Sequence, residues 1–274
     1  MPRRKLFRFK LTRKQKRKLT ALFLTGLLIG AGLWIYQHHG RFWVHRVAPA
    51  IGKPKIVFVI DDIGYDNKCE TQLKRLGSKV TYAILPLLPY SRYFGEMSRS
   101  TDAEVILHLP LDSGQNKIPG RGLIVSEMPE ADILDILQRD LDSVPHHIGV
   151  NNHMGSRGTT DPKVMTVILK ELKRRRLFFL DSYTTTASVA PEICRSLGLP
   201  FLKRGVFLDN DDNFRAIKVQ IARLESVARK QGNAIAIGHY RKKTLELLAR
   251  EIPRLEEEGF EIISLKDLLK IQRD

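Results

Sequence analysis

The chain has 274 residues, 43% of them apolar, which is enough for one sizeable domain with its own hydrophobic core. Its formal charge is +16, but residues 1–55 hold 14 Lys and Arg and no acidic residue, whereas the remaining 219 hold 32 Lys and Arg against 30 Asp and Glu. The folded part is nearly neutral, so its composition excludes the strongly basic class of nucleic-acid-binding domains, and we expect no nucleic-acid partner. Cys69 and Cys194 lie far apart with no CxxC pair, so we expect two free thiols rather than a zinc cluster or redox motif.

The N-terminal segment has the pattern of a membrane-targeting signal. Ten Lys and Arg precede an uncharged stretch of 18 residues that ends with Trp34 and Tyr36. This length just suffices to cross a bilayer, the basic flank favours the cytoplasmic side, and the aromatic pair suits the opposite interface. We therefore expect a single-pass protein of the inner membrane with its domain on the periplasmic side; secretion to the periplasm after signal cleavage is the alternative. The predicted parts are a basic cytoplasmic tail (1–18), a transmembrane anchor (19–36), a linker (37–52) and the folded domain (53–274).

After the linker, apolar strand-like runs alternate with amphipathic helical stretches. Strands that alternate with helices indicate a parallel sheet. Seven or eight such units favour a closed or nearly closed (β/α)7–8 barrel, with a doubly wound open sheet as the alternative. The predicted strands are 56–60, 80–85, 104–109, 147–151, 177–180, one within 201–208, 234–237 and 260–263.

The first predicted strand runs directly into two adjacent carboxylates, Asp61 and Asp62. Carboxylates beside a buried strand are costly unless a metal ion, a proton or a basic partner compensates them. The alternative is that they cap the following helix. Active sites of parallel barrels lie at the C-terminal ends of the strands, and several later strands also end in polar residues, namely His108, Asn151 to His153, Asp181, Asp209 and His239.

One carboxylate and two imidazoles form a suitable ligand set for a divalent ion, with zinc as the first choice. Asp62, His108 and His153 supply that set if the predicted strands share one rim.

Six segments of the chain resemble those of the divergent polysaccharide deacetylase family. They are VFVIDDIG (57–64), EVILHLPL (104–111), GVNNHMGS (149–156), FFLDSYTT (178–185), VFLDN (206–210) and AIAIGHYR (234–241). The resemblance covers roughly residues 52–270. It implies a distorted (β/α) barrel and descent from metal-dependent deacetylases that act on acetylated envelope glycans.

The resemblance also implies roles for three residues. In the wider superfamily, the first aspartate of the strand-1 pair is the catalytic base and the second binds metal, which gives Asp61 and Asp62 these roles. A histidine at the end of the seventh strand acts as general acid, which matches His239. Two features depart from the superfamily pattern. The metal histidines come from different strands instead of one loop, and the arginine motif has no clear match, so that Arg157 and Arg204 are candidates to replace it.

The first functional hypothesis is metal-assisted removal of an acetyl group, with N-acetyl before O-acetyl, from an envelope polysaccharide such as peptidoglycan. Asp61 would accept a proton, His239 would protonate the leaving amine, and Asp181 would orient His239. Asp209 is expected to be a turn or helix-cap residue. The candidate substrate-binding residues are Asn152, Arg157 and Arg121.

Two other hypotheses stay open. One is a catalytically inactive glycan-binding or envelope-assembly factor on the same fold, favoured by the missing superfamily motifs. The other is a metal-dependent phosphoesterase, which the paired aspartates also suit but for which the strand ends offer few phosphate-binding cations.

Overall fold

The computed structural model describes residues 12–14, 26, 52–115 and 120–272. The predicted basic tail, membrane anchor and linker lie almost wholly outside these residues, so they stay predictions. Among the described residues, no helix is long and apolar enough to span a membrane. The sheet and its helices belong to one compact unit, Pro49–Asp274.

Strands and helices alternate along this unit as the apolar pattern predicts. The strands are β1 (Lys55–Ile63), β2 (Thr81–Ile84), β3 (Val105–Leu111), β4 (His147–Met154), β5 (Phe178–Asp181), β6 (Phe201–Lys203), β7 (Val206–Phe207), β8 (Asn233–His239) and β9 (Glu261–Ile262). The helices are α1 (Glu70–Leu76), α2 (Ser91–Thr101), α3 (Glu130–Ser143), α4 (Pro162–Arg174), α5 (Ala190–Leu197), α6 (Phe214–Gln231), α7 (Lys242–Glu257) and α8 (Leu265–Ile271).

The sheet is parallel and curls back on itself. Its order is β6-β5-β4-β3-β2-β1-β8-β7, with β9 paired to the start of β1. The two ends of this order, β6 and β7, follow each other in the chain and are separated only by Arg204 and Gly205. Arg204 N donates to Asp181 O of β5 at 3.0 Å, and Gly205 N donates to Ile235 O of β8 at 2.9 Å. The fold is therefore a curled, distorted barrel and not the doubly wound open sheet. We call residues 203–206 the β6–β7 seam.

The segment Ile56–Ile60 of β1 is apolar because both faces of the strand are buried there. Ile56, Phe58 and Ile60 pack in the layer between the sheet and the helices. Val57 and Val59 point to the other side, into a cluster inside the barrel that also contains two leucines of α8. Helix α8 follows β9, which pairs with the first residues of β1, so it fills the end of the barrel where the strands begin. The opposite end is left for the polar residues.

Three local predictions differ from the structure. Helix α2 was not predicted, because most of its buried side chains are small or polar. Strand β3 continues through Pro110, which is tolerated because the pairing with β2 ends at Leu107 and the next segment on that side, at Ile124, donates to Pro110 O at 3.1 Å and needs no N–H from residue 110. The capping alternative for Asp61 and Asp62 is wrong, since α1 begins only at Glu70.

Helix α3 buries an unpaired carboxyl group. Asp140 is 0% exposed, neither of its carboxylate oxygens has a hydrogen-bond partner among the described residues, and it lies against Gly122. Burial raises the pKa of Asp140 to about 8. A raised carboxyl pKa means that the folded state binds more protons than the unfolded state between pH 4 and 8, roughly, so stability falls as the pH rises through this window.

We therefore expect Asp140→Asn to stabilise the protein at pH 8, by about 2–3 kcal/mol. The gain should shrink as the pH falls towards 4, roughly, because the unfolded state then also binds the proton. Urea unfolding of the wild type and of Asp140→Asn across this pH range measures the difference in the free energy of unfolding. Asp135→Asn, an exposed change on the same helix, is the control and should give no such pH-dependent gain. An unchanged difference between pH 4 and pH 8 would contradict the assignment.

Candidate metal and catalytic site

Asp61 and Asp62 both reach the same site, although neighbouring side chains of a strand normally point to opposite faces. Two local irregularities explain this. The register of β1 against β2 shifts between Ile60 and Ile63, and Asp62 has a left-handed backbone with φ +62°. Asp61 keeps the inward orientation of Val57 and Val59, and the kink brings Asp62 to the same rim.

Three potential metal ligands converge there from three strands. Asp62 Oδ1 lies 3.0 Å from His153 Nδ1 and 3.3 Å from His108 Nε2. The two imidazole nitrogens are 3.0 Å apart. Among the described residues, Asp62, His108 and His153 form the group of ligand-type side chains close enough together to hold a metal ion. The structure therefore brings together the three residues predicted from the sequence as ligands, including the two histidines from separate strands.

The donor set fits a divalent ion. Asp62 Oδ1 is buried and has no hydrogen-bond partner among the described groups, which leaves it free to coordinate a cation. Tetrahedral ligands about 2.0–2.2 Å from a zinc-type ion lie roughly 3.4 Å from one another, close to the three distances observed. Burial alone would raise the pKa of Asp62, but His108 and His153 outweigh it and hold that pKa well below its usual range.

Asn151 fixes the tautomer and the ring orientation of His108 in this site. Asn151 Nδ2 donates to Asp61 Oδ1 at 2.9 Å, so its Oδ1 is the atom that accepts from His108 Nδ1 at 2.8 Å. With its proton on Nδ1, His108 directs the lone pair of Nε2 towards Asp62 and His153. A hydrogen bond to the outer nitrogen is the usual way in which proteins orient a ligating histidine. The same amide therefore positions a potential ligand and the proposed base.

Asp61 lies at the inner edge of the ligand group. It is 3% exposed, and its Oδ2 lies 3.6 Å from His108 Nε2. Burial raises the pKa of Asp61, and the carboxylate of Asp62 adds to this, against the opposing effects of His108, His239 and the hydrogen bond from Asn151. A carboxylate with a raised pKa is a better proton acceptor near neutral pH than an ordinary surface aspartate.

His239 faces the ligand group from β8 and is held by Asp209. Its Nε2 lies 3.7 Å from Asp62 Oδ2, and its Nδ1 lies 2.8 Å from Asp209 Oδ1. Asp209 is fully buried, and its Oδ2 also accepts from His239 N at 2.8 Å and from Thr244 Oγ1 at 2.6 Å. Burial would lower the pKa of His239, but Asp209 raises it above its usual value. The hydrogen bond to His239 in turn lowers the pKa of Asp209, against its burial.

This geometry corrects the predicted partner of His239. Asp181 was expected to orient that histidine, but its Oδ1 accepts from Tyr183 N at 2.7 Å and its Oδ2 has no partner among the described groups. The orienting role falls to Asp209, which was expected to be a turn or cap residue. Strand pairing identifies Asp209 as the partner of His239. Asp209 follows β7, and β7 pairs with β8, the strand that carries His239.

The predicted substrate-binding residues are not grouped around the ligand set. Asn152 is buried, donates to Met154 O at 2.7 Å and accepts from Ser182 N at 2.8 Å, so its polar atoms hold backbone in place. Arg157 pairs with Glu127 and lies 3.6 Å from Asp112. Arg121 is an exposed loop residue. The structure gives Asn152 a positioning role instead of a substrate contact.

Arg204 is the arginine that lies beside the site. Its guanidinium donates to Ser182 O at 2.5 Å and to Tyr183 O at 2.9 Å. It also stacks over the Phe207 ring, at 4.8 Å from the centroid, and that ring packs edge-on against His239 at 5.1 Å. Of the two candidates for the missing arginine motif, Arg204 is therefore the one placed near His239.

Comparisons with known proteins identify the family of this chain. The family model described as "Divergent polysaccharide deacetylase" matches residues 58–269. An uncharacterized protein of Haemophilus influenzae is 35% identical over 210 residues, which cover 76% of this chain and 75% of the relative.

Solved structures share the fold. An uncharacterized protein from Agrobacterium tumefaciens C58 superposes with a TM-score of 0.75 at 21% identity, over 80% of this chain and 90% of the other. The catalytic domain of a peptidoglycan N-acetylglucosamine deacetylase from Eubacterium rectale superposes with a TM-score of 0.50 at 13% identity, over 78% of this chain and 90% of that chain. The match of the family model over most of the folded unit shows that this chain belongs to the divergent polysaccharide deacetylase family.

Proposed function

We propose that the protein is a metal-dependent hydrolase that removes acetyl groups, N-acetyl first, from an envelope polysaccharide such as peptidoglycan. The observation that carries the proposal is the placement of a buried carboxylate and a carboxylate-held histidine around one ligand group. Asp61 lies beside His108, and the His239–Asp209 pair lies on the side of Asp62. Hydrolysis of an amide needs a proton acceptor for water and a proton donor for the leaving amine, and these two groups meet that need.

Asp62, His108 and His153 would hold the metal ion. Two nitrogen ligands and one carboxylate favour zinc among the common divalent ions. When bound there, such an ion lowers the pKa of water and polarises an acyl oxygen. The fold is shared with a peptidoglycan N-acetylglucosamine deacetylase, which supports an acetylated amino sugar as the substrate class.

The residues of the chain supply the proton transfers. Asp61 accepts a proton from water, and the raised pKa of this carboxyl group lets it return the proton without a large energetic cost. Asp209 raises the pKa of His239 and so favours its protonated form. His239 donates from Nε2 to the departing nitrogen, while Nδ1 stays bonded to Asp209. Binding alone would not require a histidine held in this way, which favours an enzyme over the inactive glycan-binding or assembly factor.

One experiment separates the hydrolase from the inactive glycan-binding factor. The purified protein is analysed for bound metal, loaded with Zn²⁺ and assayed for acetate release from acetylated peptidoglycan and chitooligosaccharides. We expect about one metal ion per chain and release of acetate. Zinc-loaded protein that binds these glycans without releasing acetate would support the binding factor instead.

The ligand assignment has its own test. We expect His153→Ala to lower metal affinity by at least about 10²-fold, because one of three protein ligands is lost. Metal content after dialysis against a weak chelator measures this. The matched control is His146→Ala, since His146 is an exposed histidine paired with Glu96. Equal metal retention by both variants would remove His153 from the ligand set.

We also propose, from residues 1–36 alone, that the domain is tethered to the inner membrane and faces the periplasm. Sequencing of the mature N-terminus tests the anchor. A protein that begins after residue 36 would show signal cleavage and periplasmic release instead.

A further inference from the structure

A groove of about 720 Å³ lies between the β6–β7 seam and helix α6. Its position follows from the topology. From β1 to β6, and again from β7 to β8, each strand is joined to the next by a segment that contains a helix. Strands β6 and β7 are instead joined by Arg204 and Gly205 alone. No helix is therefore available to cover the seam, and the surface there stays concave. Its lining is mixed, with Val206, Phe207 and Val227 beside polar and charged side chains.

The groove is positively charged. Lys203 and Arg204 line it from the seam and Arg223 lines it from α6, and its lining includes no carboxylate. Among the described residues, none of these three cations forms an ion pair with an acidic side chain within 4.0 Å. On the neighbouring helix α7, by contrast, Arg254 pairs with Glu225, Glu251 and Glu258.

Arg204 and Arg223 are close enough to act on each other. Burial lowers the pKa of Arg204, and the charge of Arg223 acts in the same direction, against the attraction of Asp61 and Asp181. The like charges of the groove repel each other, and a bound anion relieves that repulsion. Such a cluster lowers the stability of the protein on its own and raises affinity for an anionic ligand.

The groove adjoins the catalytic residues. Phe207 belongs to its lining, carries Arg204 on one face at 4.8 Å and meets His239 edge-on at 5.1 Å. Lys203 Nζ lies 4.3 Å from the centre of the Tyr183 ring, which also lines the groove. A ligand in the groove would thus be separated from the general acid by a single aromatic ring.

We propose that this groove binds a negatively charged substituent of the glycan, so that the substrate is an acidic polysaccharide and not a neutral one. The proposal rests on the proposed function, because it assigns the neighbouring part of the same substrate. A carboxylate or a phosphate on the glycan provides the required charge. The cations would hold that group while the acetylated sugar lies between Asp61 and His239.

The test compares acetylated oligosaccharides of equal length that are neutral, carboxylated or phosphorylated. We expect wild-type kcat/KM to be about 10-fold higher on an acidic substrate, mainly through a lower KM, with a preference that weakens as salt is added. The double variant Lys203→Gln/Arg223→Gln should lose this preference. Arg204 is left intact because it also holds the backbone of Ser182 and Tyr183. The carboxylated and phosphorylated arms identify which anion is recognised.

The matched control is Lys170→Gln/Arg215→Gln, which removes the same charge from exposed positions on α4 and α6 outside the groove. It should keep the preference. Equal kcat/KM on neutral and acidic substrates, or equal loss in both double variants, would overturn the proposal while leaving the hydrolase assignment intact.

Calorimetric binding of the same oligosaccharides to metal-free protein separates the two proposals further. Groove-dependent binding of acidic oligosaccharides without acetate release from the loaded protein would sustain the groove and overturn the hydrolase. Absence of groove-dependent binding, together with acetate release from all substrates alike, would do the reverse.

Discussion

Asp61→Asn is expected to lower kcat for acetate release by about 10³-fold, since the substitution removes a general base and keeps the size of the side chain. Its carbonyl oxygen can still accept the hydrogen bond that Asn151 Nδ2 now donates to the carboxylate at 2.9 Å. The loss should therefore fall on kcat, with KM little changed, because the missing interaction acts on the reacting water and not on the bound sugar.

Metal content is the control for this variant. The three atoms that form the ligand group belong to Asp62, His108 and His153, so the metal-to-protein ratio should match that of the wild type. A large fall in bound metal would mean that Asp61 is itself a ligand. Acetate release at the wild-type rate would remove Asp61 from the mechanism and would also weaken the case for an enzyme.

Asp209→Asn is expected to lower kcat by about 10²-fold and to move the alkaline limb of the pH–rate profile to lower pH. The sign follows from the role of His239, which must be protonated to donate to the leaving amine. The negative charge of Asp209 raises the pKa of His239, so its removal lowers that pKa. The donor then loses its proton at lower pH, and the rate begins to fall earlier.

Asp181→Asn is the matched comparison for Asp209→Asn. Both aspartates are fully buried at strand ends, but only Asp209 is bonded to the His239 ring. The alkaline limb should move in Asp209→Asn and stay in place in Asp181→Asn. The opposite pattern would return the orienting role to Asp181, as expected from the sequence alone.

The sequence predicts best those features that depend on local pattern. The apolar run of β1 is visible in the sequence because both faces of the strand are buried. Similar apolar runs predict the strands near whose ends His108, His153 and His239 lie. The features that the sequence did not predict depend on pairing between distant segments. Asp209 cannot be joined to His239 without knowing that β7 pairs with β8, and the kink that brings Asp62 beside Asp61 depends on a register shift between β1 and β2.

The same limit applies to helix α2 and to the seam. Helix α2 buries mostly small and polar side chains, so it carries few of the apolar residues from which a helix is predicted. The break at Arg204 and Gly205 arises because the first half of one extended segment pairs with β5 and the second half with β8. Local sequence patterns do not encode such a change of partner, and the groove beside the seam was correspondingly absent from the sequence-based hypotheses.

The pairing of β1 also bears on how the protein is made. The two aspartates are synthesised near the start of the domain, whereas the strand opposite them, Asn233–His239, and the short strand at Glu261–Ile262 come near its end. During synthesis, the apolar segment Ile56–Ile60 therefore lacks β8 and β9, its later neighbours. One edge of the strand is then unpaired and prone to aggregate. Such distant pairing also slows folding. We expect that chains cut short before residue 233 neither bind metal nor stay monomeric, and that the site forms only once nearly the whole domain has been synthesised.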